Sequence, residues 1–226
     1  MSKIIGILGG MGPAATIDLF RKIVLNTKAE TDQEHLPIFI YNNTKIPAVR
    51  ESEKALNQLV ISAKILEKAG VEFIIMPCNT AHIWQEEIKE ALTIPFYSMV
   101  DLTIETLLQD NNYKHKKVLL LATATTVDYG LYQKACRNTP LEIITPHAEE
   151  QNIINKTIKC VKAGKLEDNP YLKDLNRILE KYYEEGISSL IGGCTEIPLL
   201  FEYLKNDMTK IDPTLLLAKM SVKKAL

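Results

Sequence analysis

The chain has 226 residues, of which 46% are apolar and 24% are charged, and its formal net charge is -1. This composition is typical of a globular protein with a sizeable core, and it excludes a largely disordered chain. A chain without a basic surplus has little charge to hold a phosphate backbone, and no apolar run approaches the ~18 residues of a membrane span. We therefore expect no nucleic acid and no membrane as partner.

Short apolar runs in the sequence predict the strands of a buried sheet. Most of these runs do not alternate between apolar and polar residues, which indicates that both faces of each strand are covered. In chain order they are residues 3–9, 37–42, 72–77, 117–123, 142–146 and 189–193, with weaker runs at 95–100 and 210–213. Longer periodic segments lie between them, so the pattern predicts an α/β class with a largely parallel sheet.

The first periodic segment, "AATIDLFRKIVLNTK", predicts an amphipathic helix. It places Ile17, Phe20, Ile23 and Val24 on one face, and we expect that face to pack on the sheet.

The N-terminal segment is unlike a secretory signal peptide, because its glycines and Pro13 interrupt its apolar stretch. We therefore expect a cytoplasmic protein.

The two halves of the sequence contain a hidden duplication. "KIIGILGGMGPAATIDLF" starts at Lys3 and "KVLLLATATTVDYGLY" starts at Lys117, and each reads as a lysine, a strand, a turn of small residues and a helix. Cys78 lies 75 residues after Lys3, and Cys194 lies 77 residues after Lys117. This spacing predicts two half-chains of one α/β fold, related by a pseudo-two-fold axis.

Two of the four cysteines stand at matching corners of these half-chains. Cys78 in "PCNTAH" and Cys194 in "GGCTEIPLL" each follow a predicted strand and precede a helix-like segment. Such a corner lies at the carboxyl edge of a parallel sheet, where ligands bind. The N–H groups of a following helix would stabilise a thiolate or hold a carboxylate, with the hydroxyls of Thr80 and Thr195 beside them.

Three kinds of chemistry use two thiols. A redox disulfide pair usually has its cysteines close in sequence, and the four-ligand spacing of a structural zinc site is missing, so we expect no metal. In proton transfer, one thiolate removes a proton from one face of a carbon and the other thiol supplies one to the opposite face. The alternative is that both cysteines are small buried residues at tight corners, as Cys136 and Cys160 are expected to be on helix faces.

Four motifs together resemble the aspartate/glutamate/hydantoin racemase superfamily, in its branch of cofactor-independent aspartate racemases and broad-specificity amino-acid racemases. They are "GILGGMGPAAT" (6–16), "PCNTAH" (77–82), "ATATTVDYGLY" (122–132) and "GGCTEIPLL" (192–200). The resemblance implies two flavodoxin-like halves with the substrate between them. These would be residues 1–100 with a closing segment 210–226, and residues 101–209. It also implies a homodimer that uses neither pyridoxal phosphate nor a metal.

The resemblance also implies roles for individual residues. Cys78 and Cys194 match the two acid/base groups, and Met11 matches the wall of the pocket. Because no electron sink is implied, the carbanion would be stabilised by hydrogen bonds to its carboxylate in a site that excludes water. The residues that match the groups binding the α-carboxylate and amino group are Asn79, Thr80, Thr123 and Thr195.

One stretch departs from the family pattern. Members often carry Pro-Asp-Arg after the second strand, whereas this chain has Pro47, Ala48 and Val49 before Arg50. Arg50 is a candidate for binding a side-chain carboxylate, because a guanidinium group suits one. Lys165 in "KAGKLED" is the candidate for a second positive group. Each also fits an ordinary solvated surface residue, which leaves strict specificity for aspartate open.

The prediction is therefore a racemase of aspartate, with glutamate or a broader range of amino acids as further substrates. A maleate cis–trans isomerase or a hydantoin racemase of the same fold is the main alternative. A nucleotide-binding oxidoreductase is suggested by Gly10, Gly12 and Ala15, but Asn42 and Asn43 end the second predicted strand where an acidic residue would hold a ribose. A non-catalytic binding protein is the remaining alternative.

Overall fold

The computed structural model describes residues 2–48, 52–113 and 116–226. The chain forms two compact units. The first unit comprises Met1–Leu102 and Thr214–Leu226, and the second comprises Thr103–Pro213.

The first unit is a parallel sheet with helices. Its strands β1 (Ile5–Gly9), β2 (Ile38–Asn42), β3 (Phe73–Ile75) and β4 (Phe96–Tyr97) pair in the order β2-β1-β3-β4. The helices that follow these strands are α1 (Pro13–Asn26), α2 (Ser52–Lys68), α3 (Gln85–Ala91) and α4 (Met99–Gln109), and α4 belongs to the second unit from Thr103 onwards.

The second unit repeats this topology. Its strands β5 (Lys117–Leu121), β6 (Glu142–Ile144), β7 (Ser189–Gly192) and β8 (Thr209–Ile211) are all parallel and pair in the order β6-β5-β7-β8. Its helices are α5 (Ala124–Asp128), α6 (Leu131–Ala135), α7 (Ala148–Lys162) and α8 (Leu172–Glu184). Both sheets thus run second, first, third, fourth strand, which confirms the predicted α/β class of two parallel sheets flanked by helices.

The C-terminal helix α9 (Pro213–Ala225) lies almost wholly in the first unit. The backbone N–H of Lys3, just before β1, donates to the carbonyl oxygen of Ala225 at 2.8 Å. The chain therefore leaves β8 in the second unit and ends beside the strand with which it began.

Strands β1, β3 and β7 are buried along their whole length, and β5 is buried after Lys117, as their continuous apolar runs predict, whereas the edge strand β2 exposes Phe39 and Ile40. In β1, Ile5, Ile7 and Leu8 are fully buried, and in β5 Leu119 and Leu121 are fully buried. Each sheet thus carries the apolar cluster of its own unit.

Helix α1 differs from the expectation that one apolar face packs on the sheet. Its buried residues include Ala15, Leu19 and Ile23, whereas Ile17 is 68% exposed and Phe20 is 41% exposed. The expectation is wrong for these last two, because small and polar residues together with Leu19 and Ile23 supply the face that packs on the sheet. The helix therefore carries a second, outward apolar face.

Within residues 2–48, 52–113 and 116–226, the structure contains no helix whose length and hydropathy would let it cross a bilayer.

Candidate active site

Cys78 lies in the turn after β3, at the carboxyl end of the first sheet. Its N–H donates to the carbonyl oxygen of Met76 at 3.0 Å, which turns the chain away from the strand, and Pro77 between them has no N–H for a sheet bond. The strand therefore ends at Ile75, two residues before the predicted end. Cys78 is buried, and the 3-10 helix Thr80–Trp84 follows it.

His82 supports this corner through two backbone contacts. Its Nδ1 lies 2.8 Å from the carbonyl oxygen of Cys78, and its Nε2 lies 3.1 Å from the backbone nitrogen of Met99, which donates to it. Nε2 is thus the acceptor, and we assign the ring proton to Nδ1. Burial lowers the pKa of His82 to about 4, so the ring is neutral. These two bonds give His82 a structural role at the corner of Cys78.

The glycine-rich turn after β1 lies close to other backbone. A Cβ atom on Gly10 would come 2.3 Å from the carbonyl oxygen of Asn43, and the residue has a φ of +107°, so glycine is required there. Met11 packs, partly buried, against the apolar cluster that contains Cys78. The structure therefore brings Met11 and Cys78 to one cluster of the first unit.

Asn79 and Thr80 continue the corner after Cys78. Asn79 is buried, and its carbonyl oxygen accepts the N–H of His82 at 3.0 Å. Thr80 is half-buried and begins the 3-10 helix. Both residues thus lie where the sheet ends, next to the thiol that they adjoin in sequence.

Cys194 occupies the equivalent turn after β7 in the second unit. The N–H of Gly193 donates to Ile191 at 2.9 Å, and the carbonyl oxygen of Cys194 accepts the N–H of Ile197 at 2.9 Å. A Cβ atom on Gly193 would come 2.4 Å from a side-chain carbon of Leu120, so the turn packs tightly on β5. Cys194 is buried.

The thiol of Cys194 is bonded to a buried carboxylate. Its Sγ donates to Oε2 of Glu196 at 2.9 Å, and the hydroxyl of Thr195 donates to the same oxygen at 3.2 Å. Burial, together with the negative charge of Glu196, raises the pKa of Cys194 well above its usual range. On the other side of the carboxylate, Nζ of Lys162 lies 4.0 Å from Oε1.

Thr123 stands at the start of α5, where its side chain caps the helix. Its Oγ1 accepts the backbone N–H of Thr126 at 3.3 Å. Strands β5 and β7 are neighbours, and Leu121 pairs with Gly192. Thr123 and Cys194 each come two residues after that pair, so they lie at the same edge of the second sheet.

The two candidates for binding a side-chain carboxylate remain predictions. Lys165 is exposed and follows α7, where its backbone N–H donates to Cys160 at 3.0 Å and closes the end of the helix. Arg50 lies outside the described residues.

The predicted site residues thus form two groups, one in each unit. Sequence reasoning missed the part played by Glu196. A carboxylate two residues after Cys194, inside an apolar run, was the available signal for it. Within the described ranges, no three His, Cys, Asp or Glu side chains converge in a way that could hold a metal ion.

Comparison with known proteins places this arrangement in a family. The sequence profile described as Asp/Glu/Hydantoin racemase matches residues 8–221. A broad-specificity amino-acid racemase from Bacillus subtilis (strain 168) is 30% identical over 229 residues, which cover 96% of each chain.

Solved structures agree with this result. The aspartate racemase of Picrophilus torridus is 33% identical, with a TM-score of 0.86 over 99% of this chain and 94% of that one. An aspartate racemase homologue from Pyrococcus horikoshii OT3 is 28% identical, with a TM-score of 0.81 over 100% and 99% of the two chains. Racemases are isomerases, so the relatives confirm the predicted class of enzyme. The chain belongs to the Asp/Glu/hydantoin racemase family.

Proposed function

We propose that the protein is an amino-acid racemase that inverts the α-carbon of its substrate with two cysteines and without pyridoxal phosphate. One observation carries this proposal. Cys78 and Cys194 are both buried, and each follows the third strand of a sheet with the same strand order and precedes a 3-10 helix. Free cysteines that only fill space would not be expected to recur at equivalent corners.

In the proposed reaction, the two thiols act on the same α-carbon. The thiolate of one cysteine takes the α-proton, so the C–H bond breaks and an S–H bond forms. The electron pair stays on carbon, and the thiol of the other cysteine then donates its proton to the opposite face. The enzyme finishes with the two protonation states exchanged, which suits a reaction that runs in both directions.

The carbanion needs support from groups around the substrate carboxylate. We propose that Asn79, Thr80, Thr123 and Thr195 bind the α-carboxylate and amino group, with Met11 as an apolar wall. Both cysteines are almost fully buried, and exclusion of water strengthens every hydrogen bond to the developing charge. The backbone N–H groups at the two corners would add to this stabilisation.

We propose aspartate as the first substrate to test, followed by a broad panel of amino acids. The names of the relatives support this order, since one is a broad-specificity amino-acid racemase and another an aspartate racemase. Arg50 and Lys165 are the proposed partners of a side-chain carboxylate. The mechanism also needs free thiols, which a reducing compartment maintains, so we propose that the protein works in the cytoplasm.

The experiment is incubation of the protein with L-aspartate, L-glutamate and other L-amino acids in D2O without added cofactor. We expect deuterium at the α-carbon together with the D-enantiomer. Cys78→Ala and Cys194→Ala should each lower the rate of formation of the D-enantiomer by about 10² to 10⁴, whereas Cys160→Ala, at a half-buried position on α7, should retain it.

Two results would contradict the proposal. Racemisation that survives both substitutions would exclude the two-cysteine mechanism. No exchange with any amino acid would exclude an amino-acid racemase and favour maleate or a hydantoin as substrate, or a binding role.

We also propose that two copies of the chain associate through an apolar surface of the first unit, which we call the α1–β2 surface. It contains the outward residues Ile17 and Phe20 of α1 and the exposed Phe39 and Ile40 of β2. β2 is the edge strand of its sheet, and an exposed apolar edge favours pairing with another chain. A two-fold axis would place the same surface on both sides of the interface.

A further inference from the structure

The two corners differ at the position two residues after the cysteine. In the first corner this residue is Thr80, and in the second it is Glu196. Glu196 is 3% exposed, and it accepts hydrogen bonds from Cys194 and Thr195 on a single oxygen. A buried carboxylate is costly unless it is hydrogen-bonded, so its place beside one of the two thiols calls for an explanation.

Other polar groups around Cys194 come from neighbouring helices. Lys162, at the end of α7, is half exposed and faces Oε1, the oxygen of Glu196 that points away from the thiol. Tyr132 of α6 is fully buried near Cys194, and burial raises its pKa so that the phenol remains neutral. The negative charge of Asp212, after β8, also raises the pKa of this phenol. Glu196 is thus the negative group in hydrogen-bond contact with Sγ.

We propose that Glu196 is a positioning residue that holds Cys194 as a thiol, so that the resting enzyme presents Cys194 as its proton donor. This inference rests on the proposed racemase function. Its physical reason is that a thiolate beside a carboxylate would place two negative charges in a buried site, whereas a thiol donates a hydrogen bond to it. The raised pKa of Cys194 agrees with this geometry.

The proton transfer then has a defined course. When Cys194 donates, its S–H bond breaks, a C–H bond forms on the substrate, and a thiolate is left beside the carboxylate. A proton from solvent can reach the carboxylate on the side of Lys162, and Oε2 of the carboxylic acid, which bonds to Sγ, can pass a proton to the thiolate. Cys78, which has taken the α-proton of the substrate, releases that proton to solvent. The sum is one proton taken from solvent and one returned to it, with Cys194 again a thiol and Cys78 again a thiolate. From the resting state, the enzyme therefore acts first on the enantiomer that gives its proton to Cys78.

A direct titration tests this inference without any assay of activity. In the full chain carrying Cys78→Ser, Cys136→Ala and Cys160→Ala, Cys194 is the remaining thiol. The ultraviolet absorbance of its thiolate is followed against pH, and the same chain with Cys194→Ser supplies the background from tyrosines. We expect Glu196→Gln to lower the midpoint by about one pH unit or more, because the like charge is removed.

Lys162→Met is the matched control of opposite sign. Lys162 lowers the pKa of Cys194, so its loss should raise the midpoint, by a smaller amount because the lysine is half exposed. An unchanged or raised midpoint in Glu196→Gln, in a variant whose circular dichroism matches the parent, would overturn the inference.

Kinetics of the otherwise unaltered chain give a second readout. One direction of racemisation needs Cys194 as a thiol and loses rate at alkaline pH, and the other needs it as a thiolate and loses rate at acid pH. Glu196→Gln should move the alkaline limit of the first direction and the acid limit of the second direction to lower pH. Substitution of a residue with a purely structural role would not shift these limits. Glu196→Asp should shift them less. If the parent racemises nothing, the proposed function fails, whereas the titration still decides the role of Glu196.

Discussion

The Nε2 atom of His82 accepts a hydrogen bond from the backbone N–H of Met99 at 3.1 Å, which ties the corner of Cys78 to the start of α4. A neutral ring can make this bond and also donate from Nδ1 to the carbonyl oxygen of Cys78. A protonated ring carries a hydrogen on both nitrogens and loses the bond to Met99. The corner therefore depends on the neutral form of a buried histidine.

This dependence predicts that the protein loses stability at mildly acid pH. The pKa of His82 is about 4 in the folded protein and 6.5 in its ordinary state, so the unfolded chain binds the proton first as pH falls. The contribution of His82 is present above pH 6.5 and is lost as pH falls towards 4. The expected loss in the free energy of unfolding is about 2 kcal/mol between pH 7 and pH 5. Urea unfolding at these two pH values measures it.

Two variants separate this effect from the titration of other groups. His82→Gln should be less stable at pH 7 but should lose about 2 kcal/mol less than the parent on going to pH 5. His147→Gln, at an exposed histidine before α7, should keep the pH dependence of the parent. Equal pH dependence in the parent and in His82→Gln would contradict the assignment of a neutral buried ring.

The two-cysteine mechanism makes a prediction about single variants that goes beyond loss of activity. With one thiol left, the enzyme can remove the α-proton from one face of the substrate and return a deuteron to that same face. Cys78→Ala and Cys194→Ala should therefore each exchange the α-hydrogen of a different enantiomer without inverting it. Racemisation should fall by about 10² to 10⁴ in each, the usual contribution of a general acid or base.

Proton NMR in D2O, with the pure L- and D-enantiomers offered separately, measures this exchange. The two variants should show opposite enantiomer preferences. Exchange of the same enantiomer by both variants would show that the cysteines do not serve opposite faces.

The tight turn after β1 predicts a large difference between two glycines with positive φ. A Cβ on Gly10 would meet the backbone of Asn43 at 2.3 Å, whereas a Cβ on Gly70 would meet nothing within 4 Å. Gly70→Ala should therefore cost about 1 to 2 kcal/mol of backbone strain. Gly10→Ala should cost at least about 1 to 3 kcal/mol more, because the backbone must move.

Urea unfolding of the two variants and the parent measures both costs. Equal losses would show that the backbone at Gly10 relaxes freely. In the surviving folded fraction of Gly10→Ala, we also expect reduced racemisation, because the turn carries Met11 into the cluster of Cys78.

The apolar runs sufficed to predict the eight strands that the described residues form, because in a parallel sheet covered on both faces burial and strand formation select the same residues. Local chain geometry was harder to predict. The segment after β5 reads like the one that forms α1, yet Gly130 takes a φ of +61° and divides it into α5 and α6. The sequence contains that glycine but gives no indication of its conformation.

The candidate site was predictable where a motif carries it and unpredictable where side-chain orientation decides. The corners of Cys78 and Cys194 follow from strand, turn and helix signals in the sequence. The bond from Cys194 to Glu196 depends on the side-chain orientation of both residues, and the bond from Met99 to His82 joins residues 17 apart. Neither spacing in the sequence is diagnostic by itself, so these two hydrogen bonds could be identified only from the tertiary structure.

Substrate specificity should depend on the two candidate cations. If Arg50 and Lys165 bind a side-chain carboxylate, Arg50→Ala and Lys165→Ala should raise KM for aspartate about 10-fold or more and leave KM for alanine or leucine nearly unchanged. Steady-state kinetics with both kinds of substrate make the comparison. Lys159→Ala, on α7, is the control for loss of a positive charge without a role in the site. A similar rise in KM for every substrate would instead place the two residues at the α-carboxylate.

The α1–β2 surface predicts a dimer that one charge can divide. Ile17 is 68% exposed on α1, and Ile61 is 51% exposed on α2 in the same unit. Ile17→Lys would bury an unpaired charge in the proposed interface. In a dimer with an interface of ordinary size, this should lower the affinity between the two chains by orders of magnitude. Light scattering after size exclusion should give the mass of two chains for the parent and for Ile61→Lys, and of one chain for Ile17→Lys.

A monomeric parent would contradict the proposed dimer. A dimer that dissociates with Ile61→Lys but not with Ile17→Lys would move the interface to α2. If Ile17→Lys is monomeric and still racemises, each chain carries a complete site, and the apolar face of α1 serves assembly alone.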